Sequence, residues 1–315
     1  MVDVAQLVHD LGGLAQKQQL VSRGVRDLDL TRAVRDGTAV RARQGWYTTV
    51  DESEPRVRAA RVGGRLTGIS AVQNWGGWVL GDHPLQVSVP RNSARLRNQW
   101  NRRRPLGEAK GVRVHWDPPE SSERGTVWCV SLRDALIRVV LDEDLETAVA
   151  ALDWALHSGL LEQIDFELVF LALPKSKWWI REWVDGACES LPESLTRTRL
   201  RRAGYHVTIQ VPLGLKRIDV VINGILGAEV DGKEFHADTF EQDHAKALDI
   251  TIAGFHAISV SAKMVFNNWG HFLHAVEAAL ASHAPATFGN SGVAQPPPSR
   301  RPQRRGELRR LRGTS

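Results

Sequence analysis

The chain has 315 residues, 42% of them hydrophobic and 24% charged, with a net charge of +5, which is ample apolar content for packed cores and a length that suggests two domains plus appendages. No apolar run is long enough to span a membrane, the amino-terminal MVDVAQLVHDL carries acids where a secretory signal is basic, and Cys129 and Cys188 are too far apart for a disulfide framework or a metal spacing; a cytoplasmic protein is expected, neither secreted nor in a membrane. The segment from Ser299 onward holds seven Arg and one Glu, a net +6, so the rest of the chain sums to −1 and nucleic-acid binding has to be read from local clusters.

Residues 1–50 read as helices followed by a strand pair. Val4, Leu7, Val8 and Leu11 have helical spacing, Gly12-Gly13 ends that helix, and a second runs from Ala15 to Val21. After the turn Ser22-Arg23-Gly24, a third helix starts at Asp27 as its N-cap and continues through Leu28, Leu30, Ala33 and Val34. Ala39 to Tyr47 then forms a small hairpin. This order describes a winged helix-turn-helix, whose third helix would present Asp29, Arg32 and Arg35 to a major groove while Arg41 and Arg43 on the wing contact phosphate. The competing reading is a helical interaction module without DNA contact. GGLAQKQQLVSRGV followed by VRARQGWYTT resembles the N-terminal domain of AbiEi-type antitoxins, a resemblance that implies a DNA-binding regulator and a toxin-antitoxin partner.

Residues 54–185 are a mixed α/β segment. Ser70-Ala71-Val72 begins a helix, Pro84 to Pro90 is an alternating strand, Val112 to Trp116 another, and Trp128 to Val140 runs from strand into helix. Asp144 to Leu161 reads as an amphipathic helix, and Ile164 to Trp183 continues helical with a break near Pro174. The order of these elements resembles the AbiEi-like antitoxin core. Within it Arg91, Arg95, Arg97, Arg102, Arg103 and Arg104 surround Trp100 without an acid. Basic residues interleaved with an aromatic suit a phosphate-tracking or single-stranded DNA surface. A solvated loop is the alternative, because Arg outnumbers Lys 33 to 8 throughout the chain.

Residues 186–282 carry the chemistry. Ser190 with Glu193 is a capping box that opens a helix ended by Gly204, and Arg197, Arg199, Arg201 and Arg202 make that helix basic, as a DNA-facing element would be. Arg217 to Ile222 and Ile225 to Val230 are Val/Ile-rich runs meeting at Asn223-Gly224, a strong hairpin signal. Asp219 and Glu229 interrupt these apolar runs, and Asp231 shares the strand parity of Glu229. A buried carboxylate is costly unless it is paired or holds a cation. A two-residue loop would put the two acids on opposite faces. A loop over Asn223-Gly224-Ile225, or a bulge at Gly227, brings Asp219 opposite Glu229, and oxygen ligands there suit Mg²⁺ or Mn²⁺. Phe240 to Ala253 is the next helix, with Asp243 and Lys246 read as a surface pair. His256 to Ser261 supplies the last strand and Phe272 to Leu280 a closing helix.

IDVVI, AEVDGKEFH, the helix that follows and Gly254 to Ile258 resemble the PD-(D/E)XK nuclease superfamily, and within it the branch related to the very-short-patch repair endonuclease. The resemblance covers roughly Glu189 to Leu280. It implies a restriction-endonuclease-like mixed sheet flanked by helices, and Asp219, Glu229 and the carbonyl of Val230 as metal ligands for phosphodiester cleavage. It also makes Glu193, on the first helix, a further acid approaching the metal through water. The sequence departs from the superfamily at its lysine, whose place Asp231 takes, so that function is either absent or supplied by Lys233 or His236.

The tail 283–315, with Pro296-Pro297-Pro298 and SRRPQRRGELRRLRG, cannot bury a core and is expected to be disordered and adhesive to polyanions. The chain as a whole therefore reads as α/β, with a winged helix, a mixed middle and a nuclease-like domain. Two functions compete: a Mg²⁺-dependent DNA endonuclease with a toxin-antitoxin or repair partner, in which Asp231 or His236 orients the water, and a non-catalytic antitoxin-type regulator whose nuclease fold has decayed. An RNA substrate stays open.

Overall fold

The computed structural model describes residues 2–107, 111–117, 125–231 and 240–283, so Lys233, His236 and the tail beyond residue 283 lie outside the described residues. The chain is an α/β protein with mixed sheets and no closed barrel. Among the described residues no helix is long and apolar enough to cross a membrane.

The first unit comprises α1 (Val4–Asp10), β1 (Leu14–Gln16), α2 (Lys17–Val21), α3 (Asp27–Arg35), β2 (Val40–Arg43) and β3 (Trp46–Thr48). Its sheet runs β1-β3-β2, all antiparallel. Ala15 and Gln16, expected to be helical, are strand. Leu14 pairs with Thr48, and Gly13 turns into the sheet at φ +81°, where a Cβ would lie 2.5 Å from Val50. The N-cap of α3 is Arg26 rather than Asp27, because the Asp29 carboxylate accepts from both the Arg26 amide at 3.2 Å and its guanidinium at 3.0 Å. Asp29 is thereby buried and is not presented to a groove.

The second unit holds α4 (Pro55–Val62), β4 (Arg65–Leu66), α5 (Gly68–Asn74), β5 (Leu85–Pro90), β6 (Val112–Asp117), α6 (Leu132–Asp142), α7 (Leu145–His157), α8 (Gln163–Leu171) and a 3-10 helix, Lys175–Trp183. β5 pairs antiparallel with β4 and parallel with β6, and its residues Leu85 to Val89 are all buried. The expected alternation is absent because a parallel strand is covered on both faces. α7 is likewise not amphipathic: every residue from Thr147 to Ala155 is buried. Its alanines let neighbours approach from all sides, and it forms the centre of the largest core. α4 ties this unit to the first, since Val57 and Ala60 share a core with Leu14 and Ala42.

The third unit holds α9 (Leu191–Arg202), β7 (Val207–Leu213), β8 (Lys216–Ile222), β9 (Leu226–Asp231), α10 (Phe240–Ile252), β10 (His256–Ser261), α11 (Ala262–Asn267) and α12 (Trp269–His283). The sheet order is β10-β9-β8-β7, with β10 parallel to β9 and the other pairs antiparallel. α9 and α12 cover one face and α10 the other. Strand β7 has no counterpart in the sequence reading. It is an edge strand, where Pro212 is tolerated because one side makes no ladder bonds.

The arginines of α9, expected to face DNA, are engaged within the chain. Arg197 is buried and donates to Asp153 of α7 at 2.8 Å, Arg199 and Arg202 both reach Glu146 at 2.8 Å, and Arg201 donates to the Glu182 carbonyl at 3.0 Å. The helix is the joint between the second and third units.

Candidate active site

The hairpin β8/β9 pairs Val220 with Ala228, Val221 with Gly227 and Ile222 with Leu226. The loop is therefore 223–225, with Asn223 at φ 52° and Gly224 at φ 68°, and Asp219 falls in register with Glu229. Past Val220 the ladder stops, and Val230 N–H donates not to a backbone carbonyl but to Asp219 Oδ2 at 2.9 Å. In an extended strand a residue's N–H and C=O point to the same side, so the Val230 carbonyl also lies on the Asp219 side.

β7 explains the fork. Ile209 pairs with Val220 and Val211 with Ile218, and between them Gln210 stands at φ +52°. Its left-handed conformation reverses the alternation of the strand. Val207 and Ile209 pack with the α9 side of the sheet, while Val211 and Leu213 pack with the α10 side, and Ile218 goes with them. Such a conformation costs a non-glycine residue on the order of 1–3 kcal/mol. Gln210 is fixed there by its amide, which donates to Glu193 Oε2 at 3.0 Å.

α10 brings in a residue that the sequence reading placed on the surface. Gly227 lets this helix sit close on β9, since a Cβ there would come within 2.7 Å of Ile250. Lys246 is one turn before Ile250, and Glu229 is two strand residues beyond Gly227. Four helical residues rise about 6 Å and two strand residues about 6.7 Å, so Lys246 arrives over Glu229. Its Nζ lies 3.5 Å from Asp219 Oδ1 and in close contact with Glu229 Oε2. Lys246, expected on the surface, is a partly buried member of the carboxylate cluster.

The electrostatics follow from this enclosure. Burial, reinforced by the charge of Asp219 and opposed by Lys246, leaves the Glu229 carboxyl raised to about 7. Burial works to lower the Lys246 ammonium, but its bond to Glu229 and the charge of Asp219 outweigh that and hold it above its ordinary value. Glu193 is raised by burial despite hydrogen bonds from the Glu189 amide, Ser190 and Gln210, and Asp219 contributes repulsion. It is both a first-turn partner of Ser190, the N-cap of α9, and an acid within electrostatic reach of the site. Asp231 ends β9, exposed and at the parity of Glu229.

The donor set fits a hard divalent cation. Glu229 Oε1 is buried and has no hydrogen-bond partner among the described residues, while Asp219, Glu229 and the Val230 carbonyl offer only oxygen. Among the described residues no three His, Cys, Asp or Glu side chains cluster as a metal cage. One or two carboxylates with backbone and water is the way proteins hold Mg²⁺, not Zn²⁺.

A second surface joins two stretches that looked separate in sequence. Arg102 on the arginine-rich loop donates to the Arg41 carbonyl on β2, so β2 and the loop adjoin. A cleft of about 350 Å³ lies there, lined by Val40, Glu52, Arg61, Trp100, Arg102 and Arg103. Arg58 stacks 4.1 Å over Trp100. Arg35, Arg41, Arg102, Arg103 and Arg104 are exposed, while Arg32 and Arg97 are half-buried. Arg43 corrects the expectation of a phosphate contact: its guanidinium donates to the carbonyls of Val62 at 2.6 Å and Arg95 at 3.3 Å, and is spent on tying β2 to α4 and the arginine-rich loop.

Comparison of the chain with protein-family models and with curated proteins finds no match.

Proposed function

We propose that the chain is a Mg²⁺-dependent (or Mn²⁺-dependent) DNA endonuclease of PD-(D/E)XK type. The observation that carries this reading is the convergence of Asp219, Glu229 and Lys246 at the fork of β8 and β9, with Glu229 Oε1 buried and unpartnered among the described residues. Asp219, Glu229 and the Val230 carbonyl would hold the ion, which supplies charge neutralisation at the scissile phosphate. Lys246 takes the part of the lysine missing beside Asp231: its ammonium is held against the carboxylates, where it can hydrogen-bond a phosphate oxygen or orient the attacking water. Glu193 adds negative charge behind Asp219. The first unit, read as a winged helix, would deliver the site to duplex DNA through Arg32, Arg35 and Arg41.

A second reading has its own support. Lys246 already neutralises the paired carboxylates, and a site balanced by an internal cation suits a non-catalytic, antitoxin-type DNA-binding regulator. Labelled single-stranded, duplex and mismatched DNA incubated with Mg²⁺, Mn²⁺ or EDTA separates the two. The nuclease reading expects metal-dependent cleavage that Asp219→Asn abolishes and Lys246→Met lowers by about 10²-fold or more, with DNA binding retained by both. Clean wild-type protein that binds these substrates but cuts none with either metal would leave the regulator.

A further inference from the structure

Helix α8 is apolar on two sides. Phe166, Val169 and Phe170 are buried in the core of the second unit, whereas Ile164, Leu168 and Leu171, at i, i+4 and i+7, form an opposite stripe with 63%, 37% and 66% of their surface exposed. A helix that is hydrophobic all round is normally covered. Exposed Leu160 precedes the stripe, and the 3-10 helix that folds back on α8 through the Arg181–Glu167 pair at 2.5 Å exposes Trp178 and Trp179. Tryptophan and aliphatic side chains exposed together are the composition of an interface centre, not of solvated surface.

The charges around the stripe identify what covers it. Glu162 and Asp165 stand at its amino-terminal end, and Lys175 and Lys177 follow its carboxy-terminal end. None of the four takes part in an ion pair among the described residues. A copy of α8 laid antiparallel across the first would set the acids of each chain against the lysines of the other, and would also oppose the helix dipoles. A two-fold axis produces this pairing, because it presents one patch to itself in reversed direction. A parallel pairing would set acid against acid and lysine against lysine.

We infer that the chain forms a two-fold dimer through antiparallel α8 helices, with Leu168 beside the axis and Glu162/Asp165 facing Lys175/Lys177 of the second copy. Nothing in it depends on whether the carboxylate site cleaves DNA. Sedimentation equilibrium of the full chain, freed of nucleic acid, should give a dimer whose dissociation is resolved below about 100 µM. Leu168→Glu places two carboxylates at the axis and should weaken association at least tenfold, with an unchanged circular-dichroism melting curve, since the side chain is on the outer face. Lys175→Glu/Lys177→Glu should also weaken it, and adding Glu162→Lys/Asp165→Lys to the same chain should restore it. A wild-type protein that stays monomeric at about 100 µM overturns the inference, as does a dimer indifferent to Leu168→Glu or one that the combined charge reversal fails to rescue.

Discussion

A lysine ammonium lodged between two carboxylates balances charge that the neighbouring Val and Ile side chains cannot solvate, and it leaves Glu229 Oε1 unsatisfied among the described residues. That imbalance has a pH signature. Glu229 is raised from an ordinary 4.5 to about 7, so between these values the folded protein holds a proton that the unfolded chain has released. The stability contributed by this group is complete below the lower value and is lost as pH rises through the upper one. Lys246 is raised too, but its contribution is lost only at pH above the ordinary lysine range, outside this window. In EDTA the melting temperature should therefore fall between about pH 5 and pH 8, and Glu229→Gln should flatten that fall and melt a few degrees higher at pH 8. A variant that loses stability at pH 8 would mean that the ionised pair with Lys246 dominates. Asp219 and Glu229 were legible in the sequence because carboxylates inside apolar strands need a reason. Lys246 was not, because its position follows from the Gly227–Ile250 approach, a contact that no local pattern announces.

Among the elements, α9 departs most from what its sequence suggests. Its N-cap was readable, since Ser190 accepts from the Glu193 amide three residues on at 3.3 Å, although the Glu193 carboxylate accepts from the Glu189 amide and not from that of the cap. The roles of its arginines were not, because Arg197, Arg199 and Arg202 find their partners on α7, far away in sequence, and Arg201 finds its own on the 3-10 helix. Asp153 is completely buried, accepting from Arg197 at 2.8 Å, Ser194 at 2.6 Å and the Asp185 amide at 2.7 Å. Burial raises its pKa while Arg197 opposes the rise. Removing one member leaves the other charge uncompensated, so Arg197→Met should cost about 3–5 kcal/mol in denaturant unfolding. Asp153→Leu/Arg197→Met should cost clearly less than the two single changes added together, since the coupling between contacting charges is then removed. Additive costs would show that α7 and α9 are held by packing alone. β7 escaped notice for a related reason: Gln210 in the left-handed region and Pro212 break the strand pattern, and its residues are nearly all half-buried or exposed.

At the scale of the whole molecule the first two units cannot be separated cleanly near residue 50, because Leu14, Ala42, Val57 and Ala60 form one core and Arg43 is anchored on α4 carbonyls. Composition and helix spacing suggested a boundary there, and packing across it was beyond their reach. The same packing merges β2 and the arginine-rich loop into one exposed basic surface through Arg102 and Arg41. If duplex DNA lies along this surface, each phosphate contact removed should reduce the slope of log affinity against log salt by about 0.9. Arg41→Ala/Arg104→Ala should then weaken duplex binding and flatten the slope by about two units. Arg43→Ala should behave differently, lowering the melting temperature because it releases β2 from α4, while changing the slope by less than about one unit. Titrations of the full chain at several salt concentrations distinguish these outcomes. An Arg41→Ala/Arg104→Ala protein with unchanged slope would remove DNA from this surface, and a slope lost with Arg43→Ala at constant stability would return that residue to the phosphate.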